Sequence, residues 1–160
     1  SARAPKDAPM PPFKPVTGPD PDSLPLACAD ERLLIGALIR HGRPALTAAG
    51  PIEARHFTKP EHWRLFRAIV TSLDGDLPQA LGNADFIAEL AAEAPDIAAV
   101  PPHAAAIVDA WIRRSLVHIA FAMATNATAN TGLSGAEALA LAQRHLAELH
   151  PRPRSDGEPS

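Results

Sequence analysis

The chain has 160 residues, of which 46% are hydrophobic, and its 18 Asp and Glu residues outnumber 15 Lys and Arg residues for a formal net charge of −3. This length suits one domain with tails, and the acidic balance disfavours nucleic acid as a strong direct partner. The lone cysteine, Cys28, excludes an internal disulfide, and no apolar run reaches the length of a membrane span, so we expect a cytoplasmic protein that binds no membrane.

Proline is frequent at the start of the chain, and residues 1–25 show no apolar periodicity. We predict a flexible tail or linker there, with a proline-motif ligand as the alternative, and a second disordered tail over residues 150–160. Between the tails, the pattern predicts a helical bundle over residues 26–100 and a helical hairpin over residues 101–149.

The bundle is predicted from amphipathic segments separated by Pro and Gly. The first helix runs from about Ala27 to His41 and contains Gly36 in its middle, which indicates close contact with another helix. Thr58 stands three residues before Glu61, the spacing of a capping box at the start of the next long helix. No stretch shows the period of two that a β-strand needs, so the predicted fold is all-α.

The predicted hairpin begins with the segment from His103 to Asn130, which contains no Pro or Gly and is apolar over most of its circumference. One apolar stripe consists of Val108, Ile112, Leu116, Ile119 and Met123. Gly132 can end this helix in a left-handed cap, and Ser134 and Glu137 have capping-box spacing for a second helix. So short a turn predicts that the two helices run antiparallel.

Side chains on the inner faces of these helices are predicted to form the core: Leu34, Leu38, Phe57, Phe66, Ile69, Leu90, Ile112, Leu116 and Ile119. The long helix carries further apolar residues that its hairpin partner cannot cover. We predict a self-association surface there, because aromatic residues edged by arginine are typical of interface centres: Trp111, Arg114, Val117, His118 and Phe121. The alternative is that the bundle wraps further around this helix and buries them within one chain.

No motif for catalysis, cofactor binding or metal binding is present. The sequence has no phosphate-binding loop, no HExxH and no CxxC, and the spacing of His56 and His62 suits zinc poorly. We therefore predict no catalytic residue, no cofactor and no metal, and expect that this chain is not an enzyme. A free-standing hydrolase or metal protein is the opposing hypothesis, but no nucleophile–base pair or ligand set supports it.

Four stretches, in order, resemble the N-terminal domain of DnaB-type replicative DNA helicases. They are DERLLIGALIRH, HFTKPEHWRLFRAI, GNADFIAELAAEAP and HAAAIVDAWIRRSLVHIA, and together with the second hairpin helix they cover about residues 28–149. Two departures from the family pattern are a short link between the second and third stretches and the end of the chain where an ATPase motor would follow.

The resemblance implies a small helical bundle followed by a long antiparallel hairpin. It also implies that this domain acts in DNA replication, where it assembles the helicase into a hexameric ring and docks the primase. Expected partners are further copies of the chain and a primase or other replisome protein, and ATP hydrolysis would belong to a longer parent protein. The alternative is the helicase-binding C-terminal domain of a bacterial primase, which has a similar fold and typically follows a linker like the Pro-rich start here.

Overall fold

The computed structural model describes residues 20, 23–73, 81–128 and 131–150. Within these ranges the chain is α-helical and contains no β-strand, so the predicted all-α class is confirmed. The helices are α1 Cys28–His41, α2 Arg43–Ala49, α3 Pro60–Thr71, α4 Ala84–Ala92, α5 Val100–Thr128 and α6 Gly135–Ala147, with 3₁₀ turns at Ala54–His56 and Ile97–Ala99. Nearly all of the two predicted tails lies outside the described residues.

Helix α1 lies at the centre of the bundle and packs against α2, α3, α4 and α5. Its apolar residues Leu34, Ile35 and Leu38 are fully buried. The other core residues predicted for the bundle are also buried, which confirms them: Phe57, Phe66, Ile69 and Leu90. Phe57 and Phe66 pack ring against ring with centroids 4.8 Å apart, which ties the segment before α3 to α3 itself.

Gly36 marks a close approach of α1 to α4. A Cβ atom at this position would lie 2.2 Å from the backbone oxygen of Leu90, well inside van der Waals contact. The close contact predicted for Gly36 is therefore confirmed, and its partner is backbone, which cannot turn away as a side chain can. Arg32 joins the same two helices at the surface through ion pairs with Glu89 and Glu93.

The buried face of α5 differs from the predicted one. Leu116 is 43% exposed, and Ile112 and Ile119 are only partly buried, so these three residues do not belong to the bundle core. The buried residues of α5 are Val100, Ala104, Ile107 and Ala110. Alanine lets the helix axes come close, so the face that contacts the bundle holds smaller side chains than the stripe of large aliphatic residues beside it.

The start of α5 also lies earlier than predicted. The helix begins at Val100, three residues before His103, and includes both Pro101 and Pro102 in its first turn. Proline is tolerated there because the first N–H groups of a helix have no partner within the helix. The earlier start adds Val100, which is fully buried, to the core.

The capping box predicted for Thr58 and Glu61 does not form. The residue before α3 is Lys59, and no side chain caps this helix. Thr58 instead donates its backbone N–H to the Glu31 carboxylate at 2.6 Å, and His62 Nδ1 donates to the other oxygen of Glu31 at 2.6 Å. Glu31 is fully buried, so these two hydrogen bonds replace the water that a carboxylate otherwise requires.

We predict that Gly36→Ala lowers the free energy of unfolding by about 1–3 kcal/mol, because α1 and α4 must move apart to admit the methyl group. Without the contact, the same change would stabilise a helix by about 1 kcal/mol. Urea denaturation followed by circular dichroism measures the effect. Gly135→Ala is the matched control, since a Cβ there meets no atom within 4 Å. Equal stability of Gly36→Ala and wild type would contradict the close approach.

Candidate interaction surface of the hairpin

The hairpin turn forms as its sequence predicts. Gly132 has a φ of 72°, a value that glycine adopts without strain. The Ser134 hydroxyl accepts from the Glu137 N–H at 3.2 Å, and the Glu137 carboxylate accepts from the Ser134 N–H at 2.7 Å. This capping box begins α6, which packs against α5 and buries Ala142.

The base of the hairpin is joined to the bundle by Arg55, in the 3₁₀ turn between α2 and α3. Its guanidinium lies 4.8 Å from the centroid of the Trp111 ring on α5. It also donates to the backbone oxygen of Glu148, 93 residues away at the end of α6, and forms an ion pair with Glu53. One side chain therefore contacts both hairpin helices. No sequence pattern indicates this role, because all of it arises from tertiary contacts.

Arg114 is a second contact between the bundle and α5, rather than a residue of the free surface as predicted. Its guanidinium donates to the backbone oxygens of Pro25 at 2.8 Å and His56 at 3.1 Å. Burial lowers the pKa of Arg114, and the Glu31 carboxylate partly offsets this effect. Since these donors are bound to the chain itself, Arg114 is not positioned to anchor a partner.

His56 is fully buried beneath Trp111, with the two ring centroids 4.6 Å apart. Its Nδ1 accepts the backbone N–H of Glu53 at 3.0 Å, so the ring proton belongs on Nε2, for which the described residues supply no hydrogen-bond acceptor. Burial lowers the pKa of His56 from 6.5 to about 4. The imidazole is therefore neutral at pH 7 and serves as a packing surface for Trp111.

A groove of about 380 Å³ separates the two hairpin helices on the side that faces the bundle. The residues that line it include Arg55, Trp111, His118, Ile119, His145 and Glu148. Of these lining residues, His118 is exposed and Trp111 is partly buried. Among the described residues, no group of three His, Cys, Asp or Glu side chains is arranged to bind a metal ion.

The opposite side of the hairpin carries four exposed apolar side chains, here called the outer face. Its members are Leu116 (43% exposed), Met123 (43%), Leu139 (59%) and Leu146 (40%). Leu116 and Met123 each directly follow a residue of α5 that lies toward α6, namely Ser115 and Ala122. Leu139 and Leu146 each directly follow a partly buried residue of α6, namely Ala138 and His145.

This placement puts all four side chains on one side of the hairpin. Each residue of an α-helix lies about 100° further around the helix axis than the residue before it. Because the two helices run antiparallel, the residue that follows a facing residue points toward the same side of the hairpin in both helices. Within each pair the residues are seven apart, or about two turns. Leu116 and Leu146 lie far from the hairpin turn, and Met123 and Leu139 lie near it, so the four form an apolar patch along this side of the hairpin.

The five residues predicted as an interaction surface lie on one side of α5, but they do not form one free surface. Trp111 and Arg114 contact the bundle, His118 borders the groove and Val117 is partly buried. Phe121 is 41% exposed, but it stands two residues from Met123, about 200° around the helix, and so on the opposite side. The alternative in which the bundle covers this helix therefore holds for Trp111 and Arg114, and not for Phe121.

No protein-family model matches the chain, and no curated protein matches it either. The resemblance to the DnaB type therefore stays a prediction. Within the described residues, no helix has both the length and the apolar character needed to cross a membrane.

We predict that stability falls as the pH is lowered from about 6.5 to 4. In this window the unfolded chain protonates His56 while the folded chain holds it neutral, so the unfolded state binds the extra proton. The full loss is about 3 kcal/mol for a shift of this size. Glu31 extends this loss of stability to lower pH. Burial alone would raise the pKa of Glu31, but the hydrogen bonds from His62 and Thr58 outweigh burial and lower the pKa overall.

Urea denaturation between pH 4 and 7 tests this expectation. His56→Asn retains an acceptor for the Glu53 N–H but has no titrating group, so its free energy of unfolding should depend less on pH. The exposed His118→Asn should retain the dependence of the wild type. The same pH dependence in His56→Asn and wild type would rule out His56 as its source.

Proposed function

We propose that this chain is a non-catalytic protein–protein interaction and oligomerisation domain that self-associates through the outer face of its hairpin. The proposal is supported by the patch of four large apolar side chains, each at least 40% exposed, on one side of two packed helices. Fully burying an exposed leucine or methionine side chain contributes about 1.5–3 kcal/mol, and these four side chains, each already about half buried, would gain roughly half of that.

A second copy of the chain fits this patch in shape and chemistry. The outer face is two helices wide and has its large residues spaced seven apart on each helix, which is the repeat of packed helices in bundles. Two such faces related by a two-fold axis present the same side chains to each other and complete a four-helix arrangement.

We further propose that the domain acts in DNA replication as the N-terminal domain of a replicative helicase, in ring assembly and primase docking. The support is the resemblance of four ordered sequence stretches to the DnaB type, together with the order of a small bundle followed by a long antiparallel hairpin. On this proposal the domain is cytoplasmic, and ATP hydrolysis belongs to a motor elsewhere in the parent protein. A parent reading frame without a phosphate-binding loop after the hairpin would contradict this part.

We expect the wild type to be at least dimeric at tens of micromolar and Leu139→Glu to be monomeric. Leu139 is 59% exposed, so glutamate there leaves the folded chain intact but places a charge in the contact. Size exclusion with light scattering gives the mass, and circular dichroism reports helix content. Phe121→Glu is the matched control, since Phe121 is similarly exposed on the opposite side and its replacement should leave the mass unchanged.

Two results would contradict the assignment of the outer face. The first is a monomeric wild type at these concentrations. The second is a loss of mass in Phe121→Glu with none in Leu139→Glu, which would move the contact to the surface around Phe121.

A further inference from the structure

A second concave surface lies on the bundle, between the 3₁₀ turn and α3. It encloses about 380 Å³ and is lined by Ala54, Arg55, Phe57, Thr58, Trp63 and Arg67. Trp63 is partly buried, whereas the guanidinium-bearing residues at its rim are exposed. The segment that forms one wall is fixed from below, because Thr58 is hydrogen-bonded to Glu31 and Phe57 packs on Phe66. The pocket therefore has a rigid floor and a charged rim.

Positive charge gathers at the pocket, where Arg67 lines it and Arg64 stands beside it on α3. The guanidinium carbons of Arg64 and Arg67 lie 5.3 Å and 5.9 Å from the centroid of the Trp63 ring. Neither arginine pairs with a carboxylate of the described residues, in contrast to Arg32, Arg55 and Arg113. Lys59, next to Thr58 in the chain, is exposed and adds a further cation. In a chain of net charge −3, this is a local reversal of sign.

The arrangement favours a ligand recognised by charge more than by stacking. A guanidinium presents a planar fork of donors that matches a carboxylate, and contact with an aromatic ring restricts its motion before a ligand arrives. Because two guanidiniums already lie against Trp63, its ring is a poor platform for a nucleobase, which binds proteins by stacking. The net negative charge of the whole chain also repels a long polyanion such as nucleic acid, because a long polyanion approaches far more of the protein surface than one pocket.

We propose that this pocket binds an acidic peptide segment of a partner protein, with Arg67 as the principal anchor, Arg64 beside the pocket, and the Trp63 ring in contact with both guanidiniums. The inference rests on the proposed function, since it supplies an interaction domain with a second docking surface, distinct from the outer face. Arg55 contributes less to ligand binding, because Glu53 and the Glu148 carbonyl already engage its guanidinium. Recognition is by carboxylate pairs spaced to reach Arg64 and Arg67 together.

Fluorescence anisotropy with a labelled hexapeptide of alternating Asp and Glu tests the proposal, and a hexapeptide of alternating Asn and Gln is the probe control. The acidic peptide should bind and the neutral one should not. Arg67→Gln should weaken binding about fivefold, the effect of losing one charge-assisted contact at a partly exposed site. Arg40→Gln, an exposed arginine on α1, removes the same charge and should leave the affinity within about twofold of wild type.

Three outcomes would overturn the proposal. One is no anisotropy change with the acidic peptide up to millimolar concentration. Another is tighter binding of a ten-residue oligothymidine that Arg67→Gln abolishes, which would assign the pocket to single-stranded nucleic acid. The third is displacement of the peptide by inorganic phosphate at equal concentration, which would define a site for small oxyanions. Light scattering on the same samples separates these results from a failure of self-association, since Arg67 lies outside the outer face.

Discussion

The buried carboxylate of Glu31 constrains more of this fold than any other single group. A carboxylate without water requires strong donors, and the chain supplies them from Thr58 and His62, 27 and 31 residues further along. The segment before α3 must therefore lie against the first turn of α1. The 3₁₀ turn in that segment is hydrogen-bonded to the hairpin. Arg114 of α5 donates to the carbonyl of His56, the last residue of the turn, and Arg55 of the turn donates to the carbonyl of Glu148 at the end of α6. Both arginines act on the side of the hairpin that faces the bundle and leave the outer face uncovered.

Local signals in the sequence are sufficient for the elements and for the bundle core. The cap at Ser134, the turn at Gly132 and the burial of Phe66 depend on spacings of a few residues, and all three are confirmed. The buried face of α5 is not predictable in the same way. This helix is apolar around most of its circumference, so periodicity does not distinguish the side with Ile107 from the side with Leu116.

Polar contacts across long sequence separations are beyond local patterns. By its position alone, Glu31 is a first-turn carboxylate that favours the helix dipole, and the same holds for Asp30. The structure separates the two: Glu31 is buried with His62, whereas Asp30 meets His103 of α5 at 2.8 Å. The capping-box spacing that begins at Thr58 fails for a related reason, because the backbone N–H of Thr58 is committed to Glu31. A tertiary hydrogen bond to a buried charge outweighs a local cap, which contributes about 1 kcal/mol.

The small residues of the hairpin explain why its large ones remain exposed. Alanine occupies much of the contact between α5 and α6, with Ala122 on one helix and Ala138 and Ala142 on the other, while Leu141 beside them is only partly buried. At about 25 cal/mol for each Å² removed from water, such a contact contributes less than a leucine-rich one. The leucine and methionine side chains of the outer face stand one residue beyond this contact, where they are only about half buried. The contact between the two hairpin helices therefore contributes little apolar burial, and the hairpin is fixed to the bundle by the buried face of α5 together with the two arginines on the bundle side. A second copy on the outer face would add the apolar burial that the alanine contact lacks.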